Sequence, residues 1–266
     1  MANVAPPIPL KGTQPEGAHT ERDASRRVRE MFTQIAPRYD LLNHLLSLDL
    51  DRLWRKRAAR RLQPILRHQN AIVLDLCCGT GDLALALARV GPAIIVGADF
   101  SHAMLVRARA KSAKMRPVPS QGGLTVPPPM PFFEADALRL PFADRSFDLI
   151  TIAFGFRNLA NYEGGLCEMH RILKPGGTVA ILEFTEPPED FPGNVCRWYL
   201  RSVLPRVGGL ISGDSAAYAY LPKSVARFFR PPELATLMTE VGYNSVDFEV
   251  WTFGTVALHI GVRPQS

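Results

Sequence analysis

Apolar positions in the middle of the chain follow two alternating rhythms. Short continuous runs, AIVLDL (71–76), AIIVGAD (93–99), PFFEAD (131–136), FDLITIAF (147–154) and TVAILEF (178–184), have the length and β-branched content of buried strands. Between them GDLALALARV (81–90), SHAMLVRARAKSAK (101–114) and NYEGGLCEMHRIL (161–173) repeat apolar residues at helical spacing. That alternation predicts a doubly wound α/β fold with a mostly parallel sheet, each helix carrying the chain back to start the next strand. From Glu21 to Leu66 the pattern is helical, interrupted around Pro37 and again near Pro64. After Glu186 a second helical stretch runs to about Val241, and SVDFEVWTF (245–253) and TVALHIGV (255–262) then read as two strands forming an antiparallel edge.

Residues 1–20 have no periodicity and are rich in Pro and Gly, so a disordered tail is expected there. Residues 21–266 read as one domain: an N-terminal helical arm (21–66), a ligand-binding core (67–186), and a helical insertion with the last strands (187–266). The stretch MRPVPSQGGLTVPPPMP (115–131) is too proline-rich for a helix and is expected as a flexible surface insertion.

With 266 residues, 47% of them hydrophobic, the chain can bury a sizeable core. The first residues lack a charged region followed by an apolar run, and no uninterrupted apolar stretch is long enough to span a bilayer, so a cytoplasmic protein is expected. Cys77 and Cys78 are neighbours, Cys167 and Cys196 stand alone, and no CxxC pair occurs, which suits reduced thiols and no metal site. The net charge of +6 is concentrated in Arg52, Arg55, Lys56, Arg57, Arg60 and Arg61. Apolar residues at helical spacing within that run make a solvated helix face the simpler reading, with contact to an anionic membrane surface the alternative. Nucleic acid is disfavoured, because no aromatic platform accompanies the charge.

The chemistry starts where the first strand breaks into DLCCGTGD. Gly79 and Gly81 permit a sharp turn at a strand's carboxyl end and close approach of a ligand to the backbone. Gly79, Gly81 and Ala84 fit a GxGxxA turn, and Asp99 ends the second strand where a ribose diol is held. This much is shared by NAD-dependent oxidoreductases and by enzymes using S-adenosylmethionine (SAM). Asp136, after the third strand, is placed to accept from an adenine amino group, and Asp75 suits the cationic amino group of SAM better than a pyrophosphate. Two acids without a basic phosphate clamp favour SAM. The plainer reading of Asp75 is a cap on the following helix, and of Gly176 and Gly177 a tight turn.

DLCCGTGD, GADFSHAML, EADALRLPF and RILKPGG, in that order, resemble the class I SAM methyltransferases, which implies a seven-stranded Rossmann-like methyltransferase sheet. YDLLNHLLSLDLDRLW (39–54), FGFRNLAN (154–161) and RILKPGGTVAILEFT (171–185) narrow the resemblance to the UbiE/MenG C-methyltransferases of menaquinone and ubiquinone biosynthesis, over about residues 26–263. The chain departs from that pattern at Leu42, where Met is usual, at Asp51, often His, at Ala153, often Ser, and at Thr185, usually Ser.

The resemblance implies SAM held by Thr80, Asp99, Asp136 and Ala137; Asp75, Gly79 and Gly81 join that seat on the reading of the turn itself. It implies C-methylation of a reduced polyprenyl quinone: demethylmenaquinol, or alternatively 2-methoxy-6-polyprenyl-1,4-benzoquinol. Arg157 is expected to stabilise the developing phenolate, Asn158 to fix ring or water orientation, and Tyr39 or Asp40 to relay the proton. The structural alternatives are an ion-paired Arg157 and a packed Tyr39; His44, His170 and His259 read as structural. A polyprenyl substrate implies peripheral membrane docking, through Arg52–Arg61 or the apolar segment from Trp198 to Ile211; a homodimer is left open.

Overall fold

The computed structural model describes residues 12–115, 118–120, 123–125, 130–199, 202 and 215–265. The arm folds as α1 (Glu21–Ile35), a 3-10 turn (Ala36–Arg38), α2 (Tyr39–Leu46), α3 (Leu50–Arg61) and α4 (Gln63–Leu66). The Thr20 side chain caps α1, and Pro37 and Pro64 mark the expected breaks. A further break separates α2 from α3, where Leu48 and Asp49 take left-handed backbone, φ 53° and 60°. No Gly or Pro announces it, so the pattern of apolar residues passes through it unbroken.

The core runs β1 (Ile72–Leu76), α5 (Asp82–Ala88), β2 (Ile94–Asp99), α6 (His102–Ser112), β3 (Val118–Ser120), β4 (Gly123–Thr125), β5 (Phe132–Glu134), β6 (Phe147–Ala153), α7 (Tyr162–Ile172) and β7 (Leu173–Phe184). Then follow α8 (Phe191–Trp198), α9 (Ser215–Ala226), α10 (Pro231–Glu240), β8 (Asn244–Trp251) and β9 (Val256–Val262). The main sheet has seven strands in the order β5-β2-β1-β6-β7-β9-β8. Pairings among β5, β2, β1, β6 and β7 are parallel, and β9 runs antiparallel to both β7 and β8. The antiparallel strand therefore lies one place in from the edge.

Both faces of the sheet are covered, which is why its central strands are mostly apolar on both sides. On one face Leu74, Leu76, Ile150 and Ile181 pack against Leu166, Met169 and Leu234 of the flanking helices. On the other, Val73, Ile95, Leu149 and Leu182 meet Leu83 and Leu87 of α5 together with Trp54, Ala58 and Leu62 of the arm. The arm is thus part of the core, and Trp54 donates its indole N–H to Thr252 Oγ1 at 2.8 Å across to the β8–β9 turn.

Three expectations shift. Residues 12–20 lie against the domain, with Thr13 buried, its amide on the Leu159 carbonyl at 2.8 Å and its hydroxyl 2.7 Å from Tyr220 Oη; residues 1–11 of the expected tail lie outside the described residues. The insertion contains a two-stranded antiparallel ribbon, β3–β4. Lys174–Gly177, expected as a turn, falls within β7, where the register with β6 shifts between Phe147 and Leu149 and Gly176 has φ 76°.

After β1 the chain goes to one side for β2 and β5 and returns on the other side of β1 as β6. The crevice between the carboxyl ends of β1 and β6 is consequently the switch point, where open α/β sheets bind ligands. There Cys77 and Phe154 hold left-handed backbone, φ 51° and 59°. A Cβ on Gly155 would sit 2.5 Å from the Cys77 Cβ, so the two loops touch only because residue 155 has no side chain. Gly155→Ala is expected to lower stability by about 1–3 kcal/mol. An unchanged urea midpoint would show that the loops have room to separate.

Candidate functional site

Two cavities open from this switch point and meet at Phe32, Tyr39 and Phe154, which line both. The first is a cleft with about 640 Å³ of open space over the carboxyl ends of β1, β2 and β5. It is lined by Cys77, Gly79, Asp99, Phe100, Ala135, Asp136, Ala137, Leu138, Gly155 and Asn158 among others; two of its lining residues are carboxylates and none is Lys, Arg or His. The second is a larger groove, about 1510 Å³, between the arm, β7 and α8, walled mainly by Met31, Phe32, Ile35, Trp54, Phe154, Phe184 and Trp198. Its aromatic floor is a cluster in which Phe154 and Phe184 lie 4.6 Å apart and Trp54 is 5.9 Å from each.

In the cleft, Asp99 accepts from the amides of Ser101 and Gly79, both at 2.8 Å, so the carboxylate at the end of β2 fixes the glycine turn. Burial raises its carboxyl to about 6, against the lowering effect of those two amides. Asp136 and Ala137 lie on the cleft wall, the Asp136 carboxylate accepting from the Leu138 amide at 3.0 Å. Gly79 and Gly81 hold φ 54° and 84°, the left-handed conformation expected of that turn.

Asp75 is fully engaged by the fold. It accepts from Thr151 Oγ1 and from the Ala84 amide, both at 2.9 Å, and the latter bond caps α5. With Thr80 it borders a small recess behind Gly79. Burial lifts its carboxyl to about 7. Asp40 turns to the glycine turn instead of the groove: Thr80 donates to it, and Lys111 Nζ reaches Asp40 at 2.9 Å and Thr80 at 3.0 Å while also pairing with Asp82. The expected proton relay through Asp40 thus meets a carboxylate already bound by a lysine, clamping α2 to the glycine turn.

Tyr39 stands where the cavities join, edge-on to Phe32 with ring centroids 6.0 Å apart, and burial raises its phenol above the usual range. Arg157 reaches the groove and is buried in an ion pair with Glu183 at 2.7 Å, its Nη1 also donating to the Phe154 carbonyl at 2.6 Å. Asn158 faces the cleft, donating to the Phe154 carbonyl at 3.3 Å and accepting from Tyr220 Oη at 3.0 Å.

A second buried ion pair on the groove wall escaped the sequence reading. Asp51 accepts from Arg55, from Ser47 Oγ at 2.6 Å and lies 2.9 Å from His44 Nδ1. Burial alone would raise the Asp51 carboxyl, but Arg55, Ser47 and His44 together hold it below the usual carboxylate range. The signal was present: Ser47, Asp51 and Arg55 are spaced by four, which stacks them along one helix face even across the Leu48–Asp49 break. His44, Asp49 and Asp51 also form a metal-sized grouping, but Arg55 already takes the Asp51 charge, so the cluster is an ion-pair network. His259 is a core histidine, bonded to the Pro231 carbonyl at 2.9 Å, and the half-buried His170 packs edge-on against Tyr243.

Residues 20–263 match the profile of the ubiE/COQ5 methyltransferase family. A demethylmenaquinone methyltransferase of Thermus thermophilus is 51% identical over 88% of this chain and the whole of that protein. A ubiquinone/menaquinone biosynthesis C-methyltransferase of Geobacter sulfurreducens is 41% identical over 91% of this chain and 90% of its own length. Among solved structures, a SAM-dependent methyltransferase of Thermotoga maritima superposes with a TM-score of 0.61 at 20% identity, covering 89% of this chain and 99% of that one.

The raised Asp75 carboxyl has a measurable signature. A carboxyl at about 7 in the folded chain, against about 3.9 unfolded, contributes stability that is complete at low pH and lost as pH rises through 7. The stability difference between Asp75→Asn and the unaltered chain should therefore move in the variant's favour from pH 5 to pH 7.5. Urea denaturation at a series of pH values reads it, and a difference constant with pH would rule the shift out.

Proposed function

The chain belongs to the ubiE/COQ5 methyltransferase family, and on that premise we propose that it methylates a ring carbon of demethylmenaquinol, a step of menaquinone biosynthesis. The enzyme is a SAM-dependent C-methyltransferase. The observation that carries the substrate assignment is the pairing of cavities: a cleft with two carboxylates and no basic residue, joined past Tyr39 to an apolar groove.

The cleft fits SAM and disfavours a dinucleotide. Asp99 is suited to the two ribose hydroxyls and Asp136 with Ala137 to the adenine edge, while no cation among the cleft's described residues is available for a pyrophosphate. When bound, SAM supplies a methyl group activated by a sulfonium. The chain's own residues then align a ring carbon with that methyl and exclude water. Phe32, Tyr39 and Phe154, shared by the two cavities, form the passage across which the groups meet.

In the groove, Arg157 stabilises negative charge developing on the ring hydroxyl, with Glu183 fixing the guanidinium in place. Tyr39, whose phenol burial raises further above its usual range, offers a hydroxyl hydrogen bond at the junction. Asn158 orients the cofactor side through its bonds to Phe154 and Tyr220.

No helix among the described residues is long and apolar enough to cross a membrane. The basic run of the arm is largely used within the fold: Arg55 pairs with Asp51, Arg57 and Arg61 with Glu249, and Arg52 with Asp49. The groove's rim is the better membrane contact. On α8, Phe191, Val195 and Trp198 fall on one face at i, i+4 and i+7, exposed by 82%, 51% and 61%, and Val195, Trp198 and the 69% exposed Leu48 line the groove's opening. A bilayer covering that rim would let an isoprenoid tail pass from the acyl region into the groove. Of the apolar segment from Trp198 to Ile211, only Trp198, Tyr199 and Ser202 fall among the described residues.

Methyl transfer from labelled SAM to demethylmenaquinol is expected, with weaker transfer to 2-methoxy-6-polyprenyl-1,4-benzoquinol. Labelling of the benzoquinol alone would move the substrate to ubiquinone biosynthesis. On the membrane contact, the chain should float with neutral and with anionic vesicles, and Trp198→Ser should lose most of the floated fraction. Flotation unaffected by that substitution would remove α8 from the interface.

A further inference from the structure

C-methylation of a quinol releases one proton per turnover, and the groove that holds the ring is mostly apolar, so the proton needs a built exit. We propose that Ser47, Asp51 and His44 form that exit, carrying the proton from the ring hydroxyl to solvent. The inference rests on the quinol reading of the groove.

Among the groove's described lining residues Asp51 is the one carboxylate. The other charged side chains on its wall, Arg55 and Arg157, are guanidinium groups, which offer donors and no acceptor. Burial keeps the Tyr39 phenol neutral, so it too is not a resting base. Ser47 and Asp51 both face the groove and are joined by a 2.6 Å hydrogen bond. Behind them His44 Nδ1 lies 2.9 Å from Asp51 Oδ2 and 3.1 Å from Oδ1. The Asp51 side chain is 4% exposed and the His44 side chain 17%, so the chain of groups runs from the buried wall toward water.

The chemistry balances without a further reactant. The ring carbon next to the hydroxyl contributes the electron pair of the new C–C bond, and the methyl–sulfur bond breaks with its pair going to sulfur. The hydroxyl proton leaves as that bond forms, its O–H pair remaining on oxygen as the phenolate-like charge that Arg157 faces and then closing to the ketone. Ser47 Oγ takes that proton as it hands its own to Asp51. Once Asp51 is neutral, His44 moves its own proton from Nδ1 to Nε2 through water; Nδ1 then accepts from Asp51, and Nε2 releases its proton to water, which restores an Nδ1–H on the carboxylate. The ketone then tautomerises, the ring carbon losing its hydrogen and the oxygen regaining one, for a net loss of one proton.

Arg55 keeps Asp51 ionised between turnovers, and so ready to accept. His44 acts only through Asp51 and is a positioning and relay residue. Proton transfer of this kind contributes on the order of 10²–10⁴ in rate.

Two variants test the relay in single-turnover methyl transfer from labelled SAM to demethylmenaquinol. His44→Gln keeps a hydrogen bond to Asp51 but cannot carry a proton, and His44→Ala leaves space for added imidazole. Both should slow transfer by roughly tenfold or more with the half-saturating quinol concentration within about twofold, and imidazole should restore His44→Ala several-fold. Normal transfer by His44→Gln, or no recovery of a folded His44→Ala with imidazole, overturns the relay. If the unaltered chain transfers nothing to demethylmenaquinol, the substrate assignment itself falls, and the relay with it.

Discussion

Everything functional in this fold depends on the contact between the ends of β1 and β6. The two strands pair in parallel from Val73–Leu149 to Leu76–Ile152, so their carboxyl ends emerge side by side. Cys77 and Phe154 then both turn through left-handed backbone, a conformation that costs a non-glycine residue about 1 kcal/mol or more. The turn at Phe154 sends its ring into the groove and frees its carbonyl to anchor Arg157 and Asn158. The turn at Cys77 starts the loop whose Gly79 amide is held by Asp99. Strain at two neighbouring strand ends thus separates the polar cleft from the apolar groove by a single layer of side chains.

The groove carries its charges at a cost. Two guanidinium–carboxylate pairs, Arg55–Asp51 and Arg157–Glu183, lie almost wholly out of water beside an aromatic floor. Buried pairs of this kind add little net stability compared with well-packed apolar residues, because desolvation offsets most of their attraction. The fold nonetheless surrounds them with further bonds, Ser47 and His44 on Asp51 and the Arg157 and Phe184 amides on Glu183. Each arginine also packs on an aromatic ring of the floor, Arg55 5.3 Å from Phe154 and Arg157 5.4 Å from Phe184. Fixed, dry and oriented charges are what a reaction that generates a phenolate beside a departing sulfonium charge requires.

The sheet was legible because burial on both faces leaves a strong one-dimensional trace: AIVLDL, AIIVGAD and FDLITIAF all became strands within a residue or so of their expected bounds. The cleft was legible for a related reason, since Gly79, Gly81 and Asp99 follow from what a turn at a strand end must contain. The groove was not. Its walls come from α2, α3, β7 and α8, segments far apart in the chain whose apolar residues read as ordinary helix and strand faces. Arg55 looked like one member of a solvated basic run, and Asp51, four residues earlier, distinguishes it from Arg57, Arg60 or Arg61. Thr13 was hidden by the proline and glycine around it, because a segment ordered by its contacts with Leu159 and Tyr220 needs no periodicity of its own.

The arm links the two cavities through adjacent residues. Asp40 points to the glycine turn, tied to Thr80 and to Lys111 of α6, while Tyr39 stands at the junction and Asn43 and Ser47 continue into the groove. A shift of α2 that opened the groove would pull Asp40 from Lys111 and leave a partly buried ammonium with Asp82 as its remaining carboxylate beside the Thr80 hydroxyl. Conversely, any rearrangement of the glycine turn that moved Thr80 would reach Tyr39 through the backbone of a single residue. Neighbouring residues of α2 thus serve both sites, because helical geometry sends side chains one residue apart in different directions, Asp40 to the glycine turn and Tyr39 to the junction with the groove.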